Sequence, residues 1–123
     1  MTDAELDLLR GAQEVRIETA RGEGAPVHRT IIWVVVDDRD RVLIRTYRGP
    51  GSRWYREALS SGRCRLLVDG HALEFRVEEA DDPERIAACS AALADKYRGD
   101  PSTPAMLRDE VLGTTLQLRS AHA

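Results

Sequence analysis

The residues best suited to chemistry lie in one short segment, where arginines, glycines and a serine follow each other closely. Guanidinium groups, unhindered glycine amides and the start of a helix all favour the binding of an anion. Trp54 and Tyr55 come next, and their rings can cover an aromatic ligand or pack in the core. The segment therefore predicts a site for a small anion, with phosphate as the leading candidate. The predicted anion-binding residues are Arg45, Thr46, Tyr47, Arg48, Gly49, Gly51 and Ser52.

Positive charge is concentrated around this segment. Residues 41–65 contain seven arginines and one acid, a net charge of +6, whereas the whole chain carries −3. An acidic chain without a ladder of stacking aromatic residues is a poor match for nucleic acid, so we expect no nucleic-acid partner. The basic residues are 17 arginines and one lysine, Lys96, which together with 15 alanines indicates a high-GC coding bias. The competing interpretation is that the arginines are simply solvated on strand and helix faces.

Other kinds of chemistry find little support in the sequence. His28, His71 and His122 and the two cysteines lack the spacing of metal ligands, so we expect no metal site. Cys64 and Cys89 also lack the spacing of a disulfide framework and predict free thiols. The sequence contains neither a nucleophile elbow nor a phosphate-binding lysine loop, which argues against hydrolysis and nucleotide turnover.

The elements that must position the anion site are strands in hairpin order with helices between some pairs. Periodicity and turn residues predict strands over 14–19, 30–36, 41–47, 63–68, 72–79 and 114–119, and helices over 3–11, 52–62 and 82–99. The run 30–36 is β-branched without polar alternation, which predicts a central strand that is buried on both faces. There are too few crossover helices for a parallel doubly wound sheet. We therefore predict an α+β fold that is mainly β, a six-stranded antiparallel sheet curled into a barrel with inserted helices.

One domain accounts for the whole chain of 123 residues. A composition of 42% hydrophobic and 32% charged residues supports a single core that needs no metal or disulfide. We divide this domain into an N-terminal helix within residues 1–12, a barrel over 14–119 and a tail over 120–123. No apolar stretch reaches the roughly 18 residues of a spanning helix, and the acidic N-terminus does not resemble a signal peptide. We expect a cytoplasmic protein that does not bind membranes.

Three segments, in this order, resemble a known family. They are Ile32–Val35 (Ile-Trp-Val-Val), Val42–Gly49 (Val-Leu-Ile-Arg-Thr-Tyr-Arg-Gly) and Ser52–Leu59 (Ser-Arg-Trp-Tyr-Arg-Glu-Ala-Leu). They are similar to the split β-barrel flavin- and deazaflavin-dependent oxidoreductases related to pyridoxamine phosphate oxidase, particularly the nitroreductase-like branch. The resemblance covers residues 14–119, and it extends to an uncharacterised family of short split barrels.

This resemblance implies a cofactor in a groove and hydride transfer to or from a small organic substrate. Its phosphate would lie against the strand end and glycine loop, with Trp54 and Tyr55 beside it. Deazaflavin (coenzyme F-420) ranks ahead of FMN, because Arg53 and Arg56 are placed to meet its polyglutamate tail and the coding bias suits bacteria that make it. The two alternatives are a cofactor-free barrel that binds a small anion and a redox-inert structural dimer.

The same resemblance implies roles on the substrate side. Trp33 would line the substrate pocket, Tyr97 would be the catalytic donor of a hydrogen bond or proton, and residues 100–110 would cover the site. Packing alone is the competing interpretation for Trp33 and for Tyr97. The resemblance also implies a homodimer, in which a second copy completes the groove.

Overall fold

The computed structural model describes residues 1–121, so that His122 and the end of the predicted tail lie outside the described residues. Residues 1–121 form five helices and seven strands. In order they are α1 (Asp3–Gly11), β1 (Val15–Ala20), β2 (Val27–Ile32), β3 (Val35–Val36), β4 (Val42–Ile44), α2 (Arg53–Ser61), β5 (Arg63–Val68), β6 (His71–Glu79), α3 (Pro83–Lys96), α4 (Thr103–Met106), α5 (Asp109–Leu112) and β7 (Leu116–Ser120). No helix within residues 1–121 is long and apolar enough to cross a membrane.

All seven strands form one antiparallel sheet in the order β2-β1-β5-β6-β7-β4-β3. The two end strands, β2 and β3, are separated in sequence only by Trp33 and Val34. The chain bends at these two residues, leaves one end of the curled sheet and joins the other. The predicted mainly β fold with an antiparallel, curled sheet and inserted helices is confirmed. The predicted number of six strands is wrong, because the bend divides the expected strand over 30–36 into β2 and β3.

The environment of this divided strand also differs from the prediction of a central strand buried on both faces. β2 lies at an end of the sheet, and the side chains of Val27 and Ile31 are 58% and 57% exposed. β3 is also an end strand, so the predicted central position is wrong on both sides of the bend. Only burial on both faces agrees at Val34, which packs in the inner core, and Val35, which packs on the opposite face among residues of α3. The unbroken β-branched run therefore spans two environments rather than one.

Two local signals in the sequence place the elements around the anion site. Asp69 and Gly70 both have positive φ, 46° and 78°, as the two-residue turn between β5 and β6 requires. Gly62 ends α2 in the left-handed conformation, with φ 72°. β4 ends at Ile44, before the expected Tyr47, because the Thr46 amide donates to the hydroxyl of Thr114 instead of continuing the ladder.

The core has two parts that lie on opposite faces of β3 and β4. The inner part fills the curled sheet and includes side chains of α1 and α2, such as Leu9 and Ala58. The outer part lies under α3 and includes Leu93 and Tyr97. α3 begins at Pro83, and the side chain of its N-cap Asp82 accepts from the Arg85 amide. These two parts hold the bend, the end of β4 and the start of α2 in fixed positions.

Candidate functional site

A cavity of about 770 Å³ opens where the bend, the end of β4 and the start of α2 meet. We call it the arginine cavity. Its lining consists of Thr30, Ile31, Ile32, Trp33, Arg45, Tyr47, Arg48, Gly51, Ser52, Arg53, Trp54, Ser102 and Met106. Three of these side chains are cationic and none carries a carboxylate. In a chain of net charge −3, such a lining favours an anionic ligand.

The structure brings most of the predicted site residues together at this cavity. Those that line it are Trp33, Arg45, Tyr47, Arg48, Gly51, Ser52 and Trp54. Those that do not are Thr46, Gly49, Tyr55 and Tyr97. Thr30, Ile31 and Ile32 also line the cavity but are not among the predicted site residues, because the sequence predicts their strand at the centre of the sheet. The bend alone brings them to the cavity, and no local sequence signal marks it.

Arg45 is a buried cation whose hydrogen-bond acceptors are all uncharged. Its side chain is 1% exposed, and it donates to Thr115 Oγ1 and Ser90 Oγ at 2.9 Å and to the carbonyls of Met106 and Ile86 at 3.0 Å. Burial lowers the pKa of this guanidinium, yet arginine stays charged in proteins. Within residues 1–121 no carboxylate pairs with it. Its positive charge at the cavity wall is therefore uncompensated and acts on any ligand there.

Arg48 and Arg53 form the exposed, cationic side of the same cavity. Among the residues that the structure describes, neither has an ion pair or a side-chain hydrogen bond. Strict strand alternation would place Arg45 and Arg48 on opposite faces, but the ladder of β4 stops at Ile44 and the chain turns. Arg45 points inward to the protein, whereas Arg48 stays at the surface. Both line one cavity from different depths.

The glycine loop shapes the cavity mouth through its own hydrogen bonds. Gly49 has a φ of 98°, and its amide donates to Thr46 Oγ1 at 3.0 Å. The amide of Ser52 donates to the carbonyl of Gly49 at 3.1 Å. These two amides are already used within the loop. Ser52 is the N-cap of α2 but makes no side-chain capping bond, so its hydroxyl and the first-turn amides of α2 have no partner in the cap.

Trp33 and Tyr97 are stacked in parallel, and only Trp33 reaches the arginine cavity. Their ring centroids are 3.8 Å apart and their planes differ by 6°. The Tyr97 hydroxyl donates to the carbonyl of Gln13 at 2.9 Å, and burial raises the pKa of this phenol to about 12. Tyr97 thus supports the indole from behind. Its predicted role as a proton donor stays a prediction, and its hydroxyl lies outside the cavity lining.

The two aromatic residues at the start of α2 have different surroundings. Trp54 lines the cavity while most of its surface is buried. Tyr55 packs in the inner core, edge-on to Trp54 with 6.2 Å between ring centroids. Core packing therefore applies to both residues, and contact of Trp54 with a ligand stays a prediction.

Residues 100–110, which the sequence predicts to cover the site, contribute two residues to the cavity lining, and their role as a cover stays a prediction. Ser102 and Met106 line the cavity from this segment. The Arg108 guanidinium donates to the carbonyl of Tyr47 at 2.6 Å and ties the segment to the end of β4.

Metal and disulfide sites do not occur in the part of the chain that the structure describes. Within residues 1–121 no three side chains of His, Cys, Asp or Glu come together in a way that could hold a metal ion. Cys64 and Cys89 are buried and free, as expected. Burial raises the pKa of the Cys64 thiol to about 12 and that of the Cys89 thiol to about 11.

Solved structures share this fold at low sequence identity. The conserved hypothetical protein Rv2991 from Mycobacterium tuberculosis is 19% identical with a TM-score of 0.74, over 99% of this chain and 82% of that one. The FAD binding protein from Mycobacterium smegmatis is 18% identical with a TM-score of 0.67, over 99% and 92%. HutZ, the heme storage protein from Vibrio cholerae, is 7% identical with a TM-score of 0.70, over 98% and 91%. The fold of this chain thus occurs in proteins that bind flavin or heme.

At the level of sequence, no curated protein matches this chain. A family model does match it over residues 5–118, which includes the bend, the end of β4 and α2. The match therefore covers every element that lines the arginine cavity. The chain belongs to the family described as "Uncharacterized protein conserved in bacteria (DUF2255)".

Proposed function

We propose that the arginine cavity binds a phosphorylated flavin-type cofactor, and that the protein transfers hydride to or from a small organic substrate. The observation that carries this proposal is the charge of the cavity. Arg45, Arg48 and Arg53 line it without a carboxylate, and Arg45 is buried among uncharged acceptors. Trp33 and Trp54 add aromatic surface to the same walls. A ring system that carries phosphate matches both the cationic and the aromatic part of this lining.

The residues divide into those that hold the phosphate and those that hold the ring. Arg48, Arg53 and the free hydroxyl of Ser52 bind the phosphate at the open side. Trp33 and Trp54 orient the ring system and exclude water. The bound cofactor supplies the hydride chemistry, so the chain needs no catalytic dyad of its own.

Deazaflavin (coenzyme F-420) is preferred to FMN because the cationic surface continues beyond the phosphate site. Arg53 and Arg56 lie three residues apart on α2, so both point from one face of the helix. Arg56 is exposed and, within residues 1–121, has no ion pair. This pair is suited to the acidic tail of a deazaflavin, a group that FMN lacks.

We further propose that the protein is a homodimer and that the second copy packs on β2. Val27 and Ile31 are exposed apolar side chains on this end strand, and Tyr47 is 52% exposed. Ile31 and Tyr47 also line the arginine cavity. A second copy on β2 would therefore cover apolar surface and narrow the cavity mouth.

The alternative is a cofactor-free barrel that uses the same cations for a small anion. Parallel titrations of the purified protein with FMN, deazaflavin, haem and inorganic phosphate separate the two. The proposal expects saturable binding of deazaflavin or FMN at micromolar concentration or below, competed only weakly by phosphate. Binding of phosphate without either flavin would support the cofactor-free alternative. Binding of haem alone would make this a haem protein and overturn the proposal.

A further inference from the structure

The side of β1, β5 and β6 that faces away from the inner core is open to solvent. Alternate residues of these strands, such as Ile17, Leu66 and Phe75, pack in the inner core. The residues between them are exposed or half-buried. We call this side, together with the neighbouring outward positions of β2 and β7, the outer sheet face.

Three arginines lie side by side on the outer sheet face, in adjacent strands. Arg76 of β6 is directly opposite Arg63 of β5 on one side and Arg119 of β7 on the other. Like charges in directly opposed positions destabilise a sheet. Arg119 bonds to Glu78, whereas Arg63 and Arg76 are exposed and, within residues 1–121, have no ion pair or side-chain hydrogen bond. We call these three arginines the arginine row, and its positive charge is only partly compensated.

The row two residues away shows how the same sheet compensates its charges. Its members, with alternating sign across β2, β1, β5 and β6, are Arg29, Glu18, Arg65 and Glu74. Every neighbouring pair is an ion pair, at 2.8 Å for Arg29 with Glu18 and at 3.5 Å for Arg65 with each glutamate. The excess of positive charge is therefore a property of the arginine row and not of the whole face.

A third row, two residues further along the strands, is mainly apolar. Its members across β2, β1, β5 and β6 are Ile31, Arg16, Leu67 and Ala72. They line a cavity of about 470 Å³, whose lining also includes the acids Glu14 and Asp69. Four residues of extended strand, about 13 Å, separate this row from the arginine row. The outer sheet face thus has an apolar cavity at one end and uncompensated cations at the other.

The charge of the face points to separate carboxylates as its complement. The three rows and Glu78 contain six arginines and three glutamates, a net charge of +3 in a chain of −3. A continuous phosphate backbone would also meet the glutamates of the middle row and the acidic remainder of the chain. A second copy is a poor complement, because with aligned strands a two-fold axis places the arginine row against itself or against the apolar row.

We propose that the outer sheet face docks an acidic segment of a partner protein, with one apolar side chain in the cavity and two or more carboxylates on the arginine row. In an extended segment, four residues lead from the apolar side chain to the first carboxylate. Glu14 and Asp69 favour this orientation, since they repel the acidic end of the segment from the cavity. This docking needs no ligand in the arginine cavity.

The test is a titration of the isotope-labelled protein with the peptide acetyl-Leu-Ser-Gly-Ser-Glu-Glu-Glu-amide, followed by nuclear magnetic resonance at about 20 mM salt. One comparison peptide replaces the leucine by serine, and another replaces the glutamates by glutamine. Arg76→Glu gives the arginine row the alternating charges of the middle row. Arg98→Glu is the matched control, because it makes the same change of charge at an exposed residue beyond α3.

The proposal expects shifted amide signals in β5, β6 and β7, and an affinity about tenfold weaker for either comparison peptide. Arg76→Glu should weaken the binding of the leucine peptide about tenfold, whereas Arg98→Glu should change it less than twofold. Urea unfolding of Arg76→Glu should give a midpoint at or above that of the wild type, because the opposed like charges are removed. That result would separate a loss of binding from a loss of structure.

Three outcomes would overturn the proposal. The first is that no signal shifts up to several millimolar peptide, or that only signals of the arginine cavity shift. The second is that phosphatidylserine vesicles or duplex DNA bind more tightly than the peptide and release in Arg76→Glu, which would assign the face to phosphate groups. The third is a change of oligomeric state in Arg76→Glu, which would make the face a contact between copies of the chain, although Arg76 lies outside β2. All measurements use the protein without cofactor, so they do not depend on the proposed function of the arginine cavity.

Discussion

The indole of Trp33 stacks on the phenol ring of Tyr97, and this contact joins the bend in the barrel to the C-terminal end of α3. The next carbonyl, that of Val34, accepts from Lys96, the neighbour of Tyr97. Lys96, the last residue of α3, and Tyr97, its C-cap, therefore contact the two residues of the bend, Val34 and Trp33. Because Trp33 lines the arginine cavity, the shape of that cavity depends on contacts made on its far side.

Removal of the Tyr97 hydroxyl tests whether this residue has a structural or a catalytic role. Tyr97→Phe keeps the stacked ring but loses the bond to Gln13, so we expect a loss of about 1 kcal/mol in the free energy of unfolding. The affinity for a flavin-type ligand should stay within twofold, because the hydroxyl lies outside the cavity. Urea unfolding and a ligand titration measure the two effects. A loss of turnover with unchanged binding would instead support the catalytic role that the family resemblance implies.

Truncation of the exposed arginines tests the phosphate site. Arg48→Ala and Arg53→Ala should each weaken FMN or deazaflavin binding by about 1.5–3 kcal/mol, tenfold or more, since each removes a charged hydrogen bond. Arg39→Ala is the matched control, because Arg39 is exposed but does not line the arginine cavity. Equal small effects in all three variants would mean that the arginines are only solvated surface.

Arg45 requires a different measurement. Arg45→Ala would leave four buried or partly buried acceptors without this donor, so we expect a loss of about 3 kcal/mol or more in stability. The difference in stability between wild type and Arg45→Ala should be larger with the ligand than without it. The reason is that the bound anion is stabilised by the buried charge only in the wild type. Thermal unfolding with and without saturating FMN measures this difference. An unchanged difference would show that the charge of Arg45 does not act on the ligand.

Ligand affinity in the arginine cavity should be insensitive to pH between about 7 and 8.5. Its lining contains no carboxylate, imidazole, thiol or amine, and arginine does not titrate in this range. Phosphate monoesters change charge near pH 6, below this window. Fluorescence titrations of FMN at several pH values measure the affinity. A clear inflection within the window would reveal a titrating group outside the lining that acts on the site.

The buried thiols should make stability fall at alkaline pH. The Cys64 pKa is about 12 in the folded protein against 9.0 for an ordinary thiol, so above pH 9 the unfolded chain releases a proton that the folded protein keeps. The contribution is therefore complete below pH 9 and declines by up to about 1.4 kcal/mol per pH unit as the pH rises towards 12. Lys96 acts in the opposite direction, because burial lowers its pKa. The comparison of wild type with Cys64→Ala in urea unfolding cancels that effect, and parallel pH curves would contradict the prediction.

The proposed dimer predicts a concentration-dependent mass. Light scattering at micromolar concentration should give twice the chain mass of 13.7 kDa. Ile31→Glu places a charge on the exposed face of β2 and should shift the protein to the monomer, whereas Glu23→Lys in the preceding turn should not. A mass of one chain at all concentrations would rule out the dimer.

Local signals in the sequence sufficed for the hairpins and helices, because turn residues and caps act over a few positions. Asp69-Gly70 and Gly62 are examples, and both have the positive φ that their roles require. The bend at Trp33 and Val34 had no such signal. Its cause is the pairing of β2 with β1 and of β3 with β4, which lie at opposite ends of the sheet.

The residue types that line the candidate site were predictable from the sequence, but the burial of each side chain was not. The cluster of arginines and glycines in the sequence located the cavity, because such residues favour anions wherever they converge. The burial of Arg45 depends on acceptors from residues 86–115, distant in sequence, and no pattern near Arg45 indicates them. The position of Tyr97 behind Trp33 likewise follows from the packing of α3 on the bend.

The divided strand also constrains how the gene can change in length. Residues 27–36 contain β2, which pairs with β1, and β3, which pairs with β4 at the opposite end of the sheet. An inserted or deleted codon there would exchange inward-facing and outward-facing side chains on one side of the bend relative to the other. Compensation would require simultaneous changes in β1 and β4. The turn before β2, over residues 21–26, pairs with nothing in the ladder and has no such restriction. Homologous genes should therefore vary in length in the turn and keep the ten codons of the divided strand constant in number.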